Sequence, residues 1–386
     1  MIRLFSTVAS QRKEIMLVVG EASGDAHGAQ LVKALHKRDA GLRIFGVAGE
    51  RLQQTNFEKL FSVTELTGMG LVELIGNLGN LWRAYSILNR ALKERRPNLL
   101  VLIDFPEFNL RLARLAKRLR IPVLYYVSPQ IWAWRKGRVQ QIARWVDHMA
   151  VIFPFEAAFY ERYGIKATFV GHPLLESVHA HADRAVTLTK IGLDPTKPTI
   201  ALLPGSRRAE VRRHLPVMRE AAVRLSGERP VQFFCVRAST IDAAEINSAL
   251  VHPALHIPVV DEGRYDAIHA ADLAWAASGT VTLETALLGR PMIVIYRLSW
   301  LTYLIARLLV RVDHIGIVNL IAGERLVPEL IQSDVNPARM AAESRLLLDD
   351  SKLRAAITAK LMTLRERLGG PGATDRVADL AIAMMA

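Results

Sequence analysis

Short uninterrupted apolar runs alternate with segments of helical period along most of this chain, the pattern of parallel strands buried on both faces between covering helices. In the first half the runs fall at 15–19, 44–47, 99–103, 123–127, 148–152 and 168–170, which predicts one six-stranded Rossmann-like layer. The interval 178–198 is poor in apolar runs, rich in Ala, Thr and charge, and contains Asp194 and Pro195 near its end, so the domain boundary is expected there. Runs at 199–203, 231–236, 256–258, 273–276 and 292–295 then predict a second α/β layer. The last stretch, 351–385, reads as helical with a break at Gly369-Gly370-Pro371-Gly372.

This pattern divides the chain into an N-terminal extension (1–13), an N-terminal domain (14–185), a C-terminal domain (186–350) and a C-terminal helical segment (351–386). At 386 residues the chain exceeds a single comfortable core, which agrees with two domains and a cleft between them. Two Rossmann-like parallel-sheet domains facing across a cleft describe the GT-B class of α/β fold, with a donor nucleotide in the C-terminal layer.

Composition narrows the class of partner. A hydrophobic fraction of 51% with 23% charged residues belongs to a folded globular chain, and no repeat or low-complexity tract stands out. The single Cys235, inside the run 231–236, excludes an intrachain disulfide framework and fits a reducing compartment. The formal charge of +13 asks for a polyanionic partner: nucleic acid, an anionic bilayer or phosphorylated substrates. Its basic residues are dispersed, as at Arg111, Arg114, Lys117, Arg118 and Arg120, and no RRM, KH or zinc-finger pattern accompanies them. That favours a membrane surface or a phosphate ligand over nucleic acid. Residues 1–13 lack the long apolar stretch of a secretory signal and read as a frayed extension. The segment 292–312 is long enough to cross a bilayer, yet Arg297, Arg307 and Arg311 interrupt it, so it is not expected to span. Leu301, Leu304, Ile305 and Leu308 share a face beside Trp300 and Tyr303, which suits either an interfacial helix or a buried core helix.

Candidate chemistry gathers where strand-like runs end. In A-A-S-G-T-V-T-L-E-T-A-L-L-G-R-P (276–291), Ser278, Gly279 and Thr280 follow a strand and open a helix, so their amides are expected to be unpaired and to hold a diphosphate. Glu284, four residues after Thr280, shares a helical face and suits ribose hydroxyls, unless it serves as an ordinary capping-box acid. In L-P-G-S-R (203–207), Gly205 and Ser206 offer N–H groups and Arg207 a guanidinium fork for phosphate oxygens. No Asp-x-Asp metal-phosphate motif appears; a diphosphate received by such preorganised donors needs no metal, and no cofactor is expected.

The other half carries different groups. G-E-A-S-G-D (20–25) is a strand-to-helix turn without G-x-G-x-x-G spacing, which speaks against a nicotinamide or flavin dinucleotide; Asp25 can serve there as an N-cap. Glu21 stands at a strand's C-terminal edge, where ligands bind in open α/β sheets. Asp104 begins D-F-P-E-F-N after the run 99–103, suited to act as a general base or, more plainly, to cap the next helix. Trp132 and Trp134, in S-P-Q-I-W-A-W, can line a sugar or acyl pocket or belong to the core, and His172 in G-H-P is a hydrogen-bonding group or a turn residue.

In chain order G-E-A-S-G-D, I-D-F-P-E-F-N, S-P-Q-I-W-A-W-R, V-G-H-P, L-L-P-G-S-R, A-S-G-T-V-T-L-E and N-L-I-A-G-E-R-L-V-P-E-L-I-Q (319–332) resemble the lipid-A-disaccharide synthase family from about Ile15 onward. The resemblance implies an inverting glycosyltransferase. UDP-2,3-diacylglucosamine would donate its sugar to the 6-hydroxyl of 2,3-diacylglucosamine 1-phosphate, giving a β-1,6 disaccharide phosphate and UDP. By motif, Asp104 is the expected base, and Glu21, Ser23 and Asp25 border the acceptor side with Trp132 and His172. Gly205, Ser206, Arg207 and Ser278–Thr280 are matched to the diphosphate, Glu284 to the ribose, and Asn319, Glu329 and Gln332 to a segment near the donor. Phe105, Gln130 and Val318 depart from the family's usual residues, which touches local packing more than chemistry.

Acyl substrates imply peripheral attachment to the inner face of the bacterial inner membrane, and 66–88, with Met69, Leu71, Val72, Leu74 and Trp82, is a second candidate for that contact. A homodimer is left open. The rival readings are another UDP-sugar enzyme of the same fold, such as a UDP-GlcNAc epimerase, and a non-catalytic lipid-binding protein at a membrane surface.

Overall fold

A computed structural model describes residues 12–66, 78–129, 131, 136–300, 303–304 and 314–386. The chain forms two compact units: the first runs to Pro173 and takes in Pro371–Ala386, and the second is Leu174–Gly370.

The first unit holds seven parallel strands: β1 (Glu14–Val19), β2 (Arg43–Ala48), β3 (Glu58–Ser62), β4 (Leu99–Ile103), β5 (Val123–Tyr126), β6 (His148–Val151) and β7 (Ala167–Phe169), in the spatial order β3-β2-β1-β4-β5-β6-β7. The apolar runs become its interior, and β4 is buried at every position. The expected six strands become seven because β3, E-K-L-F-S, is an edge strand with Glu58 and Lys59 exposed and carries no continuous apolar run.

Six parallel strands make the second sheet: β8 (Thr199–Leu203), β9 (Gln232–Val236), β10 (Val259–Val260), β11 (Leu273–Ala277), β12 (Met292–Tyr296) and β13 (Glu329–Ile331), ordered β10-β9-β8-β11-β12-β13. Two expectations are corrected here. The strand read at 256–258 lies at Val259–Val260, because pairing with β9 begins only at the Pro258 carbonyl, which accepts from Cys235 N–H at 2.9 Å. β13 is additional, a three-residue edge strand.

The unit boundary also falls earlier than the expected 185/186, at 173/174. Residues 174–198 belong with the second unit because the Arg184 guanidinium bonds the Ala270 carbonyl, the Lys197 carbonyl at 3.0 Å and Asp272 at 2.9 Å, while Asp266 accepts from Ala182 N–H at 3.1 Å. Nor does 351–386 stand alone. Helix Ser351–Arg367 stays with the second unit through Arg365 to the Leu287 carbonyl (3.0 Å) and Lys360 to Glu324 (2.8 Å). Helix Ala373–Met384 returns to the first, where Arg38 pairs with Asp375 at 2.9 Å and Asp379 at 2.5 Å, and Arg376 donates to the Val170 carbonyl at 2.7 Å.

Both sheets are doubly wound. In the first the strand order reverses between β1 and β4, and in the second between β8 and β11. The carboxyl ends of strands at such a reversal open a crevice where ligands bind in α/β folds. The turns that leave these four strands begin at Gly20, Asp104, Pro204 and Ser278.

No helix among the described residues is long and apolar enough to cross a membrane. Trp82 and Trp300 are strongly exposed. The apolar positions 67–77 and most of 301–313, which carried the expectation of membrane contact, lie outside the described residues.

Candidate active site

At the first switch point the backbone itself is distorted. Asp104 and Phe105 take φ of 51° and 48°, and Val127, leaving the adjacent β5, takes 58°. L-residues enter this left-handed region at a cost of about 1–3 kcal/mol each, and such residues persist only where neighbours over-determine them. The neighbours here are specific. Buried Asn109, on helix Pro106–Arg118, donates its side-chain amide to the carbonyls of Asp104 (2.7 Å) and Ile103 (3.2 Å). Tyr125 donates its hydroxyl to the same Asp104 carbonyl at 2.5 Å. Burial pushes the Tyr125 phenol well above its ordinary range, with Asp104 adding to the shift, so the ring remains a donor. Pro106 begins the helix at once, and Phe105 lies over the turn after β1: a Cβ built on Gly20 would stand 2.1 Å from the Cβ of Phe105. Asp104 is thus a half-buried acid whose main chain is fixed from three sides.

Glu21 occupies the N-cap position of helix Ala22–Arg38, half-buried, and Ser23 is exposed. Asp25 is not the cap of its own helix. Its carboxylate accepts from Gly49 N–H (2.7 Å), Arg51 N–H (2.9 Å) and Leu52 N–H (3.3 Å), holding the turn after β2. His172 is buried against Phe153, with ring centroids 5.3 Å apart, and lies within electrostatic reach of His27. Burial lowers His172 to about 3 and His27 to about 4, assisted by His27 in the first case and Arg51 in the second. Both rings are therefore neutral near pH 7. Trp132 and Trp134 lie outside the described residues.

The second switch point gathers the predicted phosphate groups. After β8, Gly205 takes φ of 120° and leads into Ser206 and Arg207, ahead of helix Arg208–Glu228. The expectation that Ser206 offers a free amide is corrected: Glu210, one turn inside the helix, accepts from Ser206 N–H (3.2 Å) and Arg207 N–H (3.3 Å). The Arg207 side chain is largely exposed, 3.9 Å from Glu210, and Tyr296 at the end of β12 senses both. After β11, Ser278 N–H continues the ladder to the Ile295 carbonyl at 2.9 Å, so this amide is not unpaired as expected. Among the described residues nothing accepts from the N–H groups of Gly279, Thr280 and Val281, which open helix Thr280–Leu287. Helix-start amides and a guanidinium thus leave adjacent strands of one sheet, β11 and β8, a chemistry suited to an anion.

Glu284 is buried on that helix, where its carboxylate pairs with Arg264 and accepts from the Tyr265 hydroxyl at 3.3 Å. It is not a capping-box acid: the helix is capped by Gly279, so the capping-box position falls on Thr282, and the Glu284 carboxylate is engaged by Arg264 and Tyr265 instead. Burial raises its pKa, and Arg264 and Tyr265 hold the shift back. Asn109, Tyr125, Arg264 and Tyr265 escaped the sequence reading.

Asn319, Glu329 and Gln332 each have a scaffold role. Asn319 is fully buried, bonding Val327 N–H and C=O (both 2.9 Å) and Glu329 (2.7 Å). Glu329 also accepts from Ile315 and Gly316 N–H at 3.0 Å, at the start of helix Ile317–Ala322. Gln332, at φ of 52°, accepts from Leu298 N–H at 2.6 Å beside β12.

A family model described as lipid-A-disaccharide synthetase matches residues 15–377. The chain is 45% identical over 374 residues to the lipid-A-disaccharide synthase of Geobacter metallireducens, covering 97% of each. Among solved structures it resembles the glycosyltransferase of kitacinnamycin, with a TM-score of 0.66, 17% identity and coverage of 97% of this chain and 100% of that one. It also resembles UDP-GlcNAc 2-epimerase from Neisseria meningitidis bound to UDP-GlcNAc, with a TM-score of 0.65, 12% identity and coverage of 96% and 99%. These two likenesses establish the GT-B fold and no more, whereas the family match spans both switch points and every motif that carries chemistry. By that match, the chain belongs to the lipid-A-disaccharide synthase family of glycosyltransferases.

Proposed function

We propose that this chain transfers the sugar of UDP-2,3-diacylglucosamine to the 6-hydroxyl of 2,3-diacylglucosamine 1-phosphate, with inversion and release of UDP. The observation that carries the reading is the strained turn at Asp104, whose carbonyl is held by Asn109 at 2.7 Å and Tyr125 at 2.5 Å at the first sheet's switch point. Strain maintained by two buried side chains marks a group whose direction matters.

In the proposed step the Asp104 carboxylate takes the proton of the 6-hydroxyl as that oxygen attacks the anomeric carbon. The bond from that carbon to the UDP oxygen breaks on the opposite side, which inverts the configuration in one displacement. Arg207 and the amides of Gly279 and Thr280 receive the charge that develops on the leaving diphosphate. Buried Glu284, kept as an acceptor by Arg264 and Tyr265, takes the ribose hydroxyls. Glu21 and Ser23 border the acceptor, and Asp25 shapes that border through the turn it holds. The reading asks for no divalent metal, because fixed cations and dipoles do the work assigned to one.

Because both substrates carry acyl chains, attachment to the inner face of the inner membrane completes the reading. Exposed Trp82 and Trp300, each beside an apolar segment, and the charge of +13 support it. Flotation with anionic liposomes at low salt should carry the protein upward and high salt should release it; no binding at low salt contradicts attachment.

An assay with synthetic donor and acceptor tests the reaction. Disaccharide phosphate and UDP should form in equal amounts, unaffected by chelator. Conversion of UDP-GlcNAc alone, with no disaccharide from the pair, would instead favour an epimerase.

A further inference from the structure

One imidazole ties together two strand exits on either side of the proposed diphosphate site. His214 lies on helix Arg208–Glu228 and is only 2% exposed. Its Nδ1 is 2.9 Å from the carbonyl oxygen of Pro204, at the exit of β8. Its Nε2 is 3.3 Å from the amide nitrogen of Arg297, at the exit of β12. A carbonyl only accepts and an amide N–H only donates, so Nδ1 carries the proton and Nε2 offers its lone pair. Only the neutral ring in that tautomer meets both partners.

The placement is unusual for the face it occupies. Val211, Leu215 and Met218 on the same helix are buried apolar residues, and a polar ring among them costs desolvation unless both nitrogens are satisfied. What the ring satisfies is main chain at the points where two strands stop: β8 ends at Leu203 and β12 at Tyr296. In the sheet, β8 and β12 flank β11, the strand that ends before Ser278. Pro204 leads directly into Gly205-Ser206-Arg207, and Arg297 follows Tyr296, which senses Arg207 and Glu210. The next amide, Leu298 N–H, is held by Gln332 at 2.6 Å.

We infer that His214 is a positioning residue for the nucleotide donor, fixing the β8 and β12 exits relative to one another so that Arg207 and the helix-start amides of Gly279 and Thr280 act on one diphosphate. The inference rests on the reading that UDP is held at these strand ends. His214 touches no reacting atom and acts through the backbone it bridges.

The test measures UDP affinity by calorimetry, with donor and acceptor KM, in His214→Leu and His214→Gln. Leucine removes both bonds and leaves the Arg297 N–H and the buried Pro204 C=O without their shared partner; UDP affinity should fall about tenfold and donor KM rise with it, while acceptor KM stays near wild type. Glutamine, whose amide both donates and accepts, should restore UDP affinity to within about threefold of wild type. If His214→Leu does not fold, His214→Asn, long enough for one partner only, is read in the same way. A folded variant lacking these bonds that binds UDP as wild type overturns the inference, as does equal loss in the Leu and Gln variants. Arg207→Gln is the control for the underlying reading: UDP affinity lost there but intact in His214→Leu sinks only the role of His214, and affinity intact in both sinks the placement of UDP.

Discussion

The side-chain amide of Asn109 donates to the main-chain carbonyl of Asp104 at 2.7 Å, and so a buried residue five positions along the chain holds the proposed base in a left-handed turn. Removing the donor withdraws two hydrogen bonds and at the same time releases strain, so the two effects on stability oppose each other. Asn109→Ala should therefore lose no more than about 1–3 kcal/mol of stability while kcat falls about 10- to 100-fold, because the carboxylate is no longer aimed. Urea unfolding and kcat measured on one preparation check this; a kcat within twofold of wild type would show that the turn does not need Asn109.

Gly20 makes the same point from the opposite side of the contact. A methyl group there would meet Phe105 at 2.1 Å, and Phe105 cannot yield without moving Asp104. Gly20→Ala should lower stability by about 1–3 kcal/mol and reduce kcat more than it raises acceptor KM. Thermal melts with steady-state kinetics provide the check.

The two acids of the first turn separate by role. Asp25 accepts three main-chain amides, whereas Glu21 stands at the cap position beside the proposed acceptor. Asp25→Ala should cost about 2–4 kcal/mol in unfolding free energy, since charge-assisted bonds to buried amides are lost. Glu21→Ala should leave the melting temperature within about 2 °C and raise acceptor KM. The reverse pattern would exchange their assignments.

Acid sensitivity follows from His27 and His172. Both are held neutral in the fold, His27 at about 4 and His172 at about 3, while the unfolded chain binds these protons below its ordinary histidine pKa of about 6.5. The unfolded state then binds more protons. Stability is full above about pH 6.5 and declines as pH falls toward the folded values, by about 1.4 kcal/mol per pH unit for each ring at the steepest. His172 faces His27, and His27 faces Arg51, so charging either ring adds repulsion. Urea titrations at pH 7 and 5.5 should show a smaller drop in His172→Gln than in wild type.

Much of this was legible in residue order, and the exceptions share a cause. The run 99–103 is strand β4 to the residue, because a central strand buried on both faces has no polar position to interrupt it. Edge strands β3 and β13 were illegible because exposed Glu58 and Lys59, and partly exposed Glu329, break the apolar signal. The four chemistry-bearing turns were legible because each follows a central strand, β1, β4, β8 or β11. Their supports were not. Asn109 and Tyr125 serve the carbonyl of a third residue, Asp25 serves amides some 24 positions away, and His214 reaches Arg297 across 83 positions. Hydrogen bonds to main chain leave no spacing rule in the sequence when the partner lies in another element.

The most direct measurement is a single-turnover reaction of Asp104→Asn beside UDP binding to the same protein. Asparagine keeps the shape and the carbonyl held by Asn109 and Tyr125 but cannot take a proton. Disaccharide formation should fall by about 10²–10⁴-fold, the range that a general base supplies, with UDP affinity unchanged. Wild-type turnover in that variant would contradict the account, because the acceptor hydroxyl would then lose its proton to some other group.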